Sequence, residues 1–377
     1  MKQVYLMIYD LGGGHRSIAN ALHEVIQQQG LPWQIHIVEF FRDIVGTNAP
    51  HNVYNNFVLK KKWARIINEP ILVPSFKLQV RWRYRAWRSL LEKYWQEHQP
   101  DLVVSLLPYV NKLLKDSLQK TFPQTPFVTC MTDFADVPPR FWLEPQEQFV
   151  VCPSQTAVEQ ARSYNCPKMN IIQTSGVVIH PRFNEPKQGD RALERKSLGL
   201  NPDLPTGLVV FGSHGSQQMI EIAERLSKSD LKLQLIFLCG HDRELASALK
   251  NIATRFPKLI EGFTKKIPYY MDLADFFIGK PGNVSISEAV SRKLPVITEC
   301  NNMTLFQERA IAGWIKSSQF GIIVNNFGEI NQAVSKLSDP KNFHRYQANV
   351  EAYSNRAVFE VVDSLEAILA NSYPIAV

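Results

Sequence analysis

The chain has 377 residues, room for two domains at roughly 100–200 residues each, with 42 Lys and Arg against 35 Asp and Glu. At 45% apolar and 20% charged residues it falls outside the disordered and fibrous classes. The +7 excess is local: residues 51–100 hold ten basic side chains against Glu69, Glu92 and Glu97, and the rest balances, which excludes a general polyanion-binding coat. No nucleic-acid partner is expected.

Five scattered cysteines (Cys130, Cys152, Cys166, Cys239, Cys300) form no CxxC or Cys/His pattern. Neither a disulfide framework nor structural zinc is expected, and a reducing cytoplasm is. The N-terminal apolar run is too short for a signal peptide, and no stretch approaches 18 uninterrupted apolar residues. Any membrane contact is therefore expected to be peripheral, on the inner face.

Strand-like and helix-like runs alternate along the chain, the pattern of βαβ units with a parallel sheet. A buried strand is predicted over 4–9. After Gly12, Gly13 and Gly14, a helix places Ile18, Ala21, Leu22, Val25 and Ile26 on one face and stops near Gly30. Strands follow over 34–41, 101–106, 127–131 and 148–152, with a helix over 76–95 between the first two of these. The stretch 176–205 is rich in Pro, Gly and charge and reads as a connection. A fresh series then begins, with strands over 207–211, 233–239, 276–279 and 295–298. Helices alternate with them over 217–226, 243–254, 284–292 and 305–316. The reading is α/β: two Rossmann-like doubly wound domains facing a cleft. The first spans 1–180, a linker 181–205, and the second 206–350. A C-terminal helix at 351–377 is expected to return to the first.

Three strand-to-helix turns carry chemistry. Gly12-Gly13-Gly14-His15 removes every Cβ from its turn, so a ligand can approach the backbone. The following helix N-terminus favours negative charge and disfavours imidazolium, so a neutral His15 there suits a general base. A tight turn with a structural histidine is the alternative. Phe211-Gly212-Ser213-His214-Gly215-Ser216 has the same anion-cradling logic and is weaker alone. In Lys280-Pro281-Gly282-Asn283-Val284-Ser285, exposed amides suit a diphosphate, and Glu288 can accept both hydroxyls of a ribose. Ser285 as a helix cap and Glu288 as a dipole partner remain the alternatives. None of these is a Walker loop or a GxGxxG fingerprint.

Together these segments resemble the GT-B glycosyltransferases of the branch containing monogalactosyldiacylglycerol synthases and bacterial diacylglycerol glucosyltransferases. The matching residues are GGGHRSIANAL at 12–22, Thr132-Asp133-Phe134, Cys239-Gly240, Gly262-Phe263, Met271, and DLADFFIGKPGNVSISEAVSRKLPVI at 272–297. The lipid-linked N-acetylglucosaminyl transferase of peptidoglycan synthesis shares the architecture more distantly. The resemblance implies His15 at the acceptor hydroxyl, with Asp133 assisting. It implies Gly212, Ser213, Gly215 and Ser216 at the donor phosphates, and Phe263 flanking uracil with Gly262 and Gly240 beside it. Lys280, Pro281, Gly282, Asn283 and Ser285 would meet the diphosphate, Glu288 the ribose, and Gln307 with Glu308 the hexose. Four family features differ here. The glycine loop reads Gly-Ser-His-Gly, Asn283 replaces a glycine, Leu305-Phe306-Gln307-Glu308 stands for Pro-Gly-Gln-Glu, and no histidine follows Thr132-Asp133, where Asp136 and Pro138-Pro139 stand.

The basic window contains Lys60, Lys61, Lys62 and Trp63, then a helix with Arg81, Trp82, Arg85 and Arg88 beside a stripe of Phe76, Val80, Tyr84, Trp87, Leu91 and Tyr94. Basic residues interleaved with Trp suit an anionic bilayer, whereas a packed helix with a solvated rim is the alternative. The expected activity is transfer of galactose or glucose from UDP-galactose or UDP-glucose to a lipid, foremost diacylglycerol, with inversion and without metal or other cofactor. The alternatives are a UDP-sugar epimerase or a transferase with a non-lipid acceptor, and a non-catalytic protein binding anionic membrane or RNA.

Overall fold

Val4, Tyr5, Leu6, Met7 and Ile8 are all buried, which a strand achieves only with helices on both faces of its sheet. The computed structural model supplies those layers; it describes residues 1–10, 13–48, 71, 73–187 and 189–370. The chain divides into two units: Met1–Pro181 with Leu305–Ala310 and Asn355–Val377, and Arg182–Thr304 with Ile311–Ser354.

The first unit runs β1 (Lys2–Ile8), α1 (Gly14–Gln28), β2 (Trp33–Glu39), a short wide helix (Phe40–Val45), α2 (Val73–His98), β3 (Leu102–Ser105) and α3 (Asn111–Thr121). It continues with β4 (Phe127–Cys130), β5 (Phe149–Cys152), α4 (Gln155–Ser163) and β6 (Ile171–Gln173). The second unit contains α5 (Arg191–Ser197), β7 (Thr206–Val210), α6 (Gln218–Ser227), β8 (Gln234–Leu238), α7 (Arg243–Asn251), β9 (Lys258–Glu261), α8 (Ile267–Leu273) and β10 (Phe276–Gly279). Then come α9 (Asn283–Ser291), β11 (Val296–Glu299), α10 (Phe306–Ser317), β12 (Gly321–Val324), α11 (Ile330–Ser338) and α12 (Pro340–Ala352). The last helix, α13 (Ala357–Leu369), belongs to the first unit.

Both sheets have six parallel strands, in the orders β2-β1-β3-β4-β5-β6 and β12-β11-β10-β7-β8-β9. The order reverses between β1 and β3 in one and between β7 and β10 in the other. Such reversals splay the following loops apart and open a crevice at the strands' carboxyl ends. The GGGH segment leaves β1, the GSHG segment leaves β7, and the KPGN segment leaves β10. All three signature loops stand at a switch point.

The stretch 181–205 is not an open connector. Asp190 caps α5 by accepting from Ala192 N and Leu193 N, and the buried Arg195 donates to Leu273 O at 2.8 Å and Asp275 at 2.7 Å. Charged residues signalled a loop, but these charges are paired inside the second unit. At the chain's end, Asn355 Nδ2 donates to Val177 O at 3.0 Å and Glu360 accepts from Ser175 N at 2.7 Å, seating α13 on the first unit. Sequence reading also left out β6, β9 and β12, three short strands, each of which forms an edge of a sheet. Residues 40–41, expected to extend β2, instead enter the short helix, whose entry Glu39 caps by accepting from Arg42 N.

Candidate functional site

The first-unit site grows from the turn after β1. Gly13 has φ +82 and stands at the N-terminus of α1 with no side-chain cap. A Cβ added at Gly13 or Gly14 would meet nothing within 4 Å, so space is open there. Gly12 lies outside the described residues. His15, in the first turn of α1, lies 6.2 Å from the Tyr9 ring and 6.4 Å, edge-on, from the Trp142 ring. Its Nδ1 is buried and has no partner among the described residues. Burial pushes its pKa down to about 4, against the opposing field of Asp10. His15 is therefore neutral at physiological pH, through burial rather than the helix dipole invoked from sequence. Asp10 is clamped by Arg16 through two 2.5 Å contacts, which tie the end of β1 to the first turn of α1.

Asp133 is buried, and its Oδ2 accepts from the Trp142 indole at 2.8 Å. One indole thus has His15 at its edge and Asp133 on its N–H. Asp136, standing where a histidine was expected, is committed to the loop after β4: its carboxylate accepts from Arg140 N at 2.8 Å and Trp142 N at 2.6 Å. Trp142 was not singled out from sequence, because only the folded loop brings its ring to His15.

The first unit also holds a cavity of about 320 Å³ whose lining includes Lys77, Arg81, Lys112, Arg140, Tyr109 and Glu144. Tyr109 (φ 68) and Arg140 (φ 64) both adopt the left-handed backbone that ordinary residues avoid. Hydrogen bonds hold them there, from Tyr109 N to Phe141 O at 2.7 Å and from Arg140 N to Asp136. Lys77 Nζ lies 4.9 Å from the centre of the Tyr109 ring. Burial pushes the Glu144 carboxyl up to about 7, although it accepts from Lys112 N at 2.6 Å. Sequence reading missed this grouping, since α2, α3 and the 140–144 loop meet only in the fold.

Helix α2 buries Val80, Trp87, Leu91 and Trp95, so the apolar stripe is core. Each such side chain contributes roughly 1.5–3 kcal/mol on burial. Its outer face leaves Trp82 88% and Leu78 65% exposed, flanked by exposed Arg81 and Arg85. Arg88 differs: it pairs with Glu92 at 2.9 Å and donates to Asp116 O at 3.3 Å. Lys60, Lys61, Lys62 and Trp63 lie outside the described residues. No helix of the described residues is long and apolar enough to cross a membrane.

The second-unit site lies at the carboxyl ends of β7, β8, β9 and β10. Gly212 (φ +81) and Gly215 (φ +61) bend the first loop, and Ser213 Oγ lies 3.0 Å from His214 Nδ1. Ser216 Oγ accepts from Gln218 N, and the Gln218 amide donates to Glu299 at 2.8 Å. Gly240 (φ +62) packs against this loop: its Cβ would fall 2.1 Å from Ser213 O. Gly262 is exposed beside it, and Phe263 is 54% exposed with His241 stacked on it.

After β10, Pro281 is buried and Gly282 begins α9 without a side-chain cap. Ser285 does not cap the helix as one alternative held; its hydroxyl donates back to Gly282 O at 3.2 Å. No side chain caps the N-terminus of α9, the kind of helix end that suits an anion. The Lys280 stem runs close to both glycines, 3.9 Å from a Cβ built on Gly212 and 3.6 Å from one on Gly282. Asn283 is buried in the first turn. Glu288, further along α9, has no hydrogen-bond or ion-pair partner among the described residues. Burial pushes its pKa up to about 8, with Arg182 opposing. Gln307 and Glu308 stand at the start of α10 as expected, in a turn that groups with the first unit. No group of three or more His, Cys, Asp or Glu among the described residues could hold a metal ion.

Two six-stranded parallel sheets with glycine loops at their switch points are the GT-B architecture. The crystal structure of Acinetobacter baumannii MurG superimposes with a TM-score of 0.65 at 14% identity, covering 97% of this chain and 99% of that one. Residues 15–179 match the model of the monogalactosyldiacylglycerol synthase family. A probable monogalactosyldiacylglycerol synthase 2 of Oryza sativa subsp. japonica is 24% identical over 97% of this chain and 81% of its own length. The processive diacylglycerol beta-glucosyltransferase of Bacillus licheniformis is 22% identical over 97% of this chain and 95% of its own. The chain is a GT-B hexosyltransferase. Its sequence is similar to those of monogalactosyldiacylglycerol synthases and diacylglycerol glucosyltransferases.

Proposed function

We propose that the protein transfers galactose or glucose from the corresponding UDP-sugar to the free hydroxyl of diacylglycerol at an anionic membrane surface, with inversion and without a metal. The observation that carries the donor half is the β7–β10 switch point. The Gly212 loop, the start of α9 without a side-chain cap and the Lys280 stem lie together there, with Glu288 further along the same helix. Amides and a lysine stabilise the departing diphosphate, and they need no reorganisation as charge develops. His15, neutral and at the mouth of an open glycine turn, takes the acceptor proton as the hydroxyl attacks the anomeric carbon in line. Asp133 assists by accepting from the Trp142 indole N–H, which fixes the ring that meets His15 edge-on. Gln307 and Glu308 are assigned to the hexose hydroxyls.

The acceptor half is supported by α2. Its exposed Trp82 and Leu78 offer an apolar surface, and the cavity beside it is rimmed by four cations. A peripheral position on the cytoplasmic leaflet follows. Each cation at an anionic surface contributes about 1 kcal/mol, so Arg81→Ala with Arg85→Ala should weaken binding to anionic vesicles about thirtyfold. UDP binding should be unchanged. Arg88→Ala, which breaks internal pairs instead, should lower the melting temperature and spare vesicle binding; equal losses from all three would refute the docking face.

Glu288 gives the donor site a pH signature. In the free protein it is largely protonated at pH 7, and two ribose hydroxyls donating to it favour the carboxylate. Nucleotide binding then releases a proton, so UDP affinity should rise with pH up to about 8, by at most about tenfold per unit. Calorimetry in buffers of different ionisation enthalpy reads the released proton directly, and Glu288→Gln should abolish the slope. The proposal as a whole is tested by incubating the protein with UDP-galactose, UDP-glucose and diacylglycerol in anionic liposomes and weighing the lipid products. Hexosyl diacylglycerol is expected. An altered nucleotide sugar without a lipid product would point to the epimerase alternative.

A further inference from the structure

Phe263 presents a flat apolar ring just after β9 with 54% of its surface in water. Such a ring is a stacking surface for a planar ligand. Among the described residues, the ring stacked on it is His241, at 4.1 Å with planes 15° apart.

That stack is delivered by a backbone with little freedom. On one side of His241, Gly240 has φ +62 and no room for a Cβ against Ser213 O. The His241 amide itself donates to Ser213 O at 2.8 Å. On the other side, Asp242 caps α7 by accepting from Leu245 N at 2.9 Å. The main chain is pinned before, at and after the histidine, which leaves the imidazole only its side-chain torsions. Parallel stacking then restrains Phe263, which would otherwise swing freely at the surface.

We propose that His241 is a positioning residue for the nucleobase of the donor: it holds Phe263 as a preset platform whose free face stacks a pyrimidine of a nucleoside diphosphate. The inference rests on the donor-site reading above and adds to it a residue outside the glycine loops. Base stacking on an aromatic face needs no particular hydrogen-bond pattern, so the platform supplies affinity and orientation while other groups read the base. Its gain is preorganisation, because a ring already held flat loses less freedom when the base arrives.

The test compares UDP with inorganic diphosphate, which shares the anion site and lacks the base. His241→Ala should raise the dissociation constant for UDP about three- to tenfold and leave that for diphosphate unchanged. His241→Phe, which keeps a flat ring on Phe263, should return UDP affinity to within about twofold of wild type. In a Phe263→Ala background, His241→Ala should add nothing, since its effect passes through Phe263. Equal weakening of UDP and diphosphate by His241→Ala would show a loop-structural role and overturn the proposal. Unchanged or tighter UDP binding would overturn it as well, showing that the imidazole occupies the face a base would use. A wild-type protein that binds diphosphate but not UDP refutes the platform alone. One that binds neither refutes the donor site and the platform together.

Discussion

His15→Ala should lower the turnover number about a thousandfold while UDP affinity stays within about twofold of wild type. The size follows from the contribution of a positioned general base, about 10²–10⁴ in rate. The split follows from the fold: His15 stands at the β1 switch point of one unit, whereas the glycine loops, Lys280 and Glu288 belong to the other. Single-turnover transfer measured beside calorimetric UDP binding separates the two effects. A pH profile sharpens the assignment. With donor saturating, so that Glu288 no longer contributes, a base with pKa about 4 keeps turnover level as pH falls from 8 to 5.5. Loss of rate centred near 6.5, the ordinary histidine value, would show that His15 is not held neutral as described.

Gly240→Ala should be severely damaging to the donor unit. The residue has φ +62, which costs an ordinary side chain roughly 1–2 kcal/mol. The larger penalty is steric, because the new Cβ would fall 2.1 Å from Ser213 O and 2.5 Å from Ser213 C. Those are backbone atoms of the neighbouring glycine loop, so relief requires prising two loops apart. A total loss of about 3 kcal/mol or more is expected, which lowers the melting temperature of a unit this size by roughly 6–12 °C. UDP binding should fall below detection, since the loops that frame the site move with it. Gly13→Ala is the control: φ is +82, yet nothing lies within 4 Å of the new methyl, so only the torsional cost applies. Equal melting temperatures for wild type and Gly240→Ala would contradict the loop packing.

Much of the fold was legible because its signals are local. Buried parallel strands must be short apolar runs, and helices on such a sheet must be apolar on one stripe; β1, α1, β10 and α9 show both patterns. The glycine turns were legible for the same reason, since backbone that approaches a ligand or another loop excludes a Cβ whatever its partners. The basic helix was visible too, but its two faces were not ranked. Arg81 and Arg88 are equivalent in sequence, and only packing against α3 shows that Arg88 is paired inward while Arg81 rims a cavity. The linker was misjudged because charge and proline mark a surface loop unless distant partners such as Asp275 neutralise the charge.

By itself, then, the sequence determined the two-sheet architecture and the loops at the switch points, because periodicity and glycine placement act over a few neighbouring residues. The tertiary structure alone decided the electrostatic state of the site and its supporting contacts. His15 is neutral because burial disfavours its charge, Glu288 holds its proton for the same reason, and His241 reaches Phe263 from the turn after the neighbouring strand. Desolvation and stacking depend on which remote residues arrive at one point in space. No local pattern encodes that.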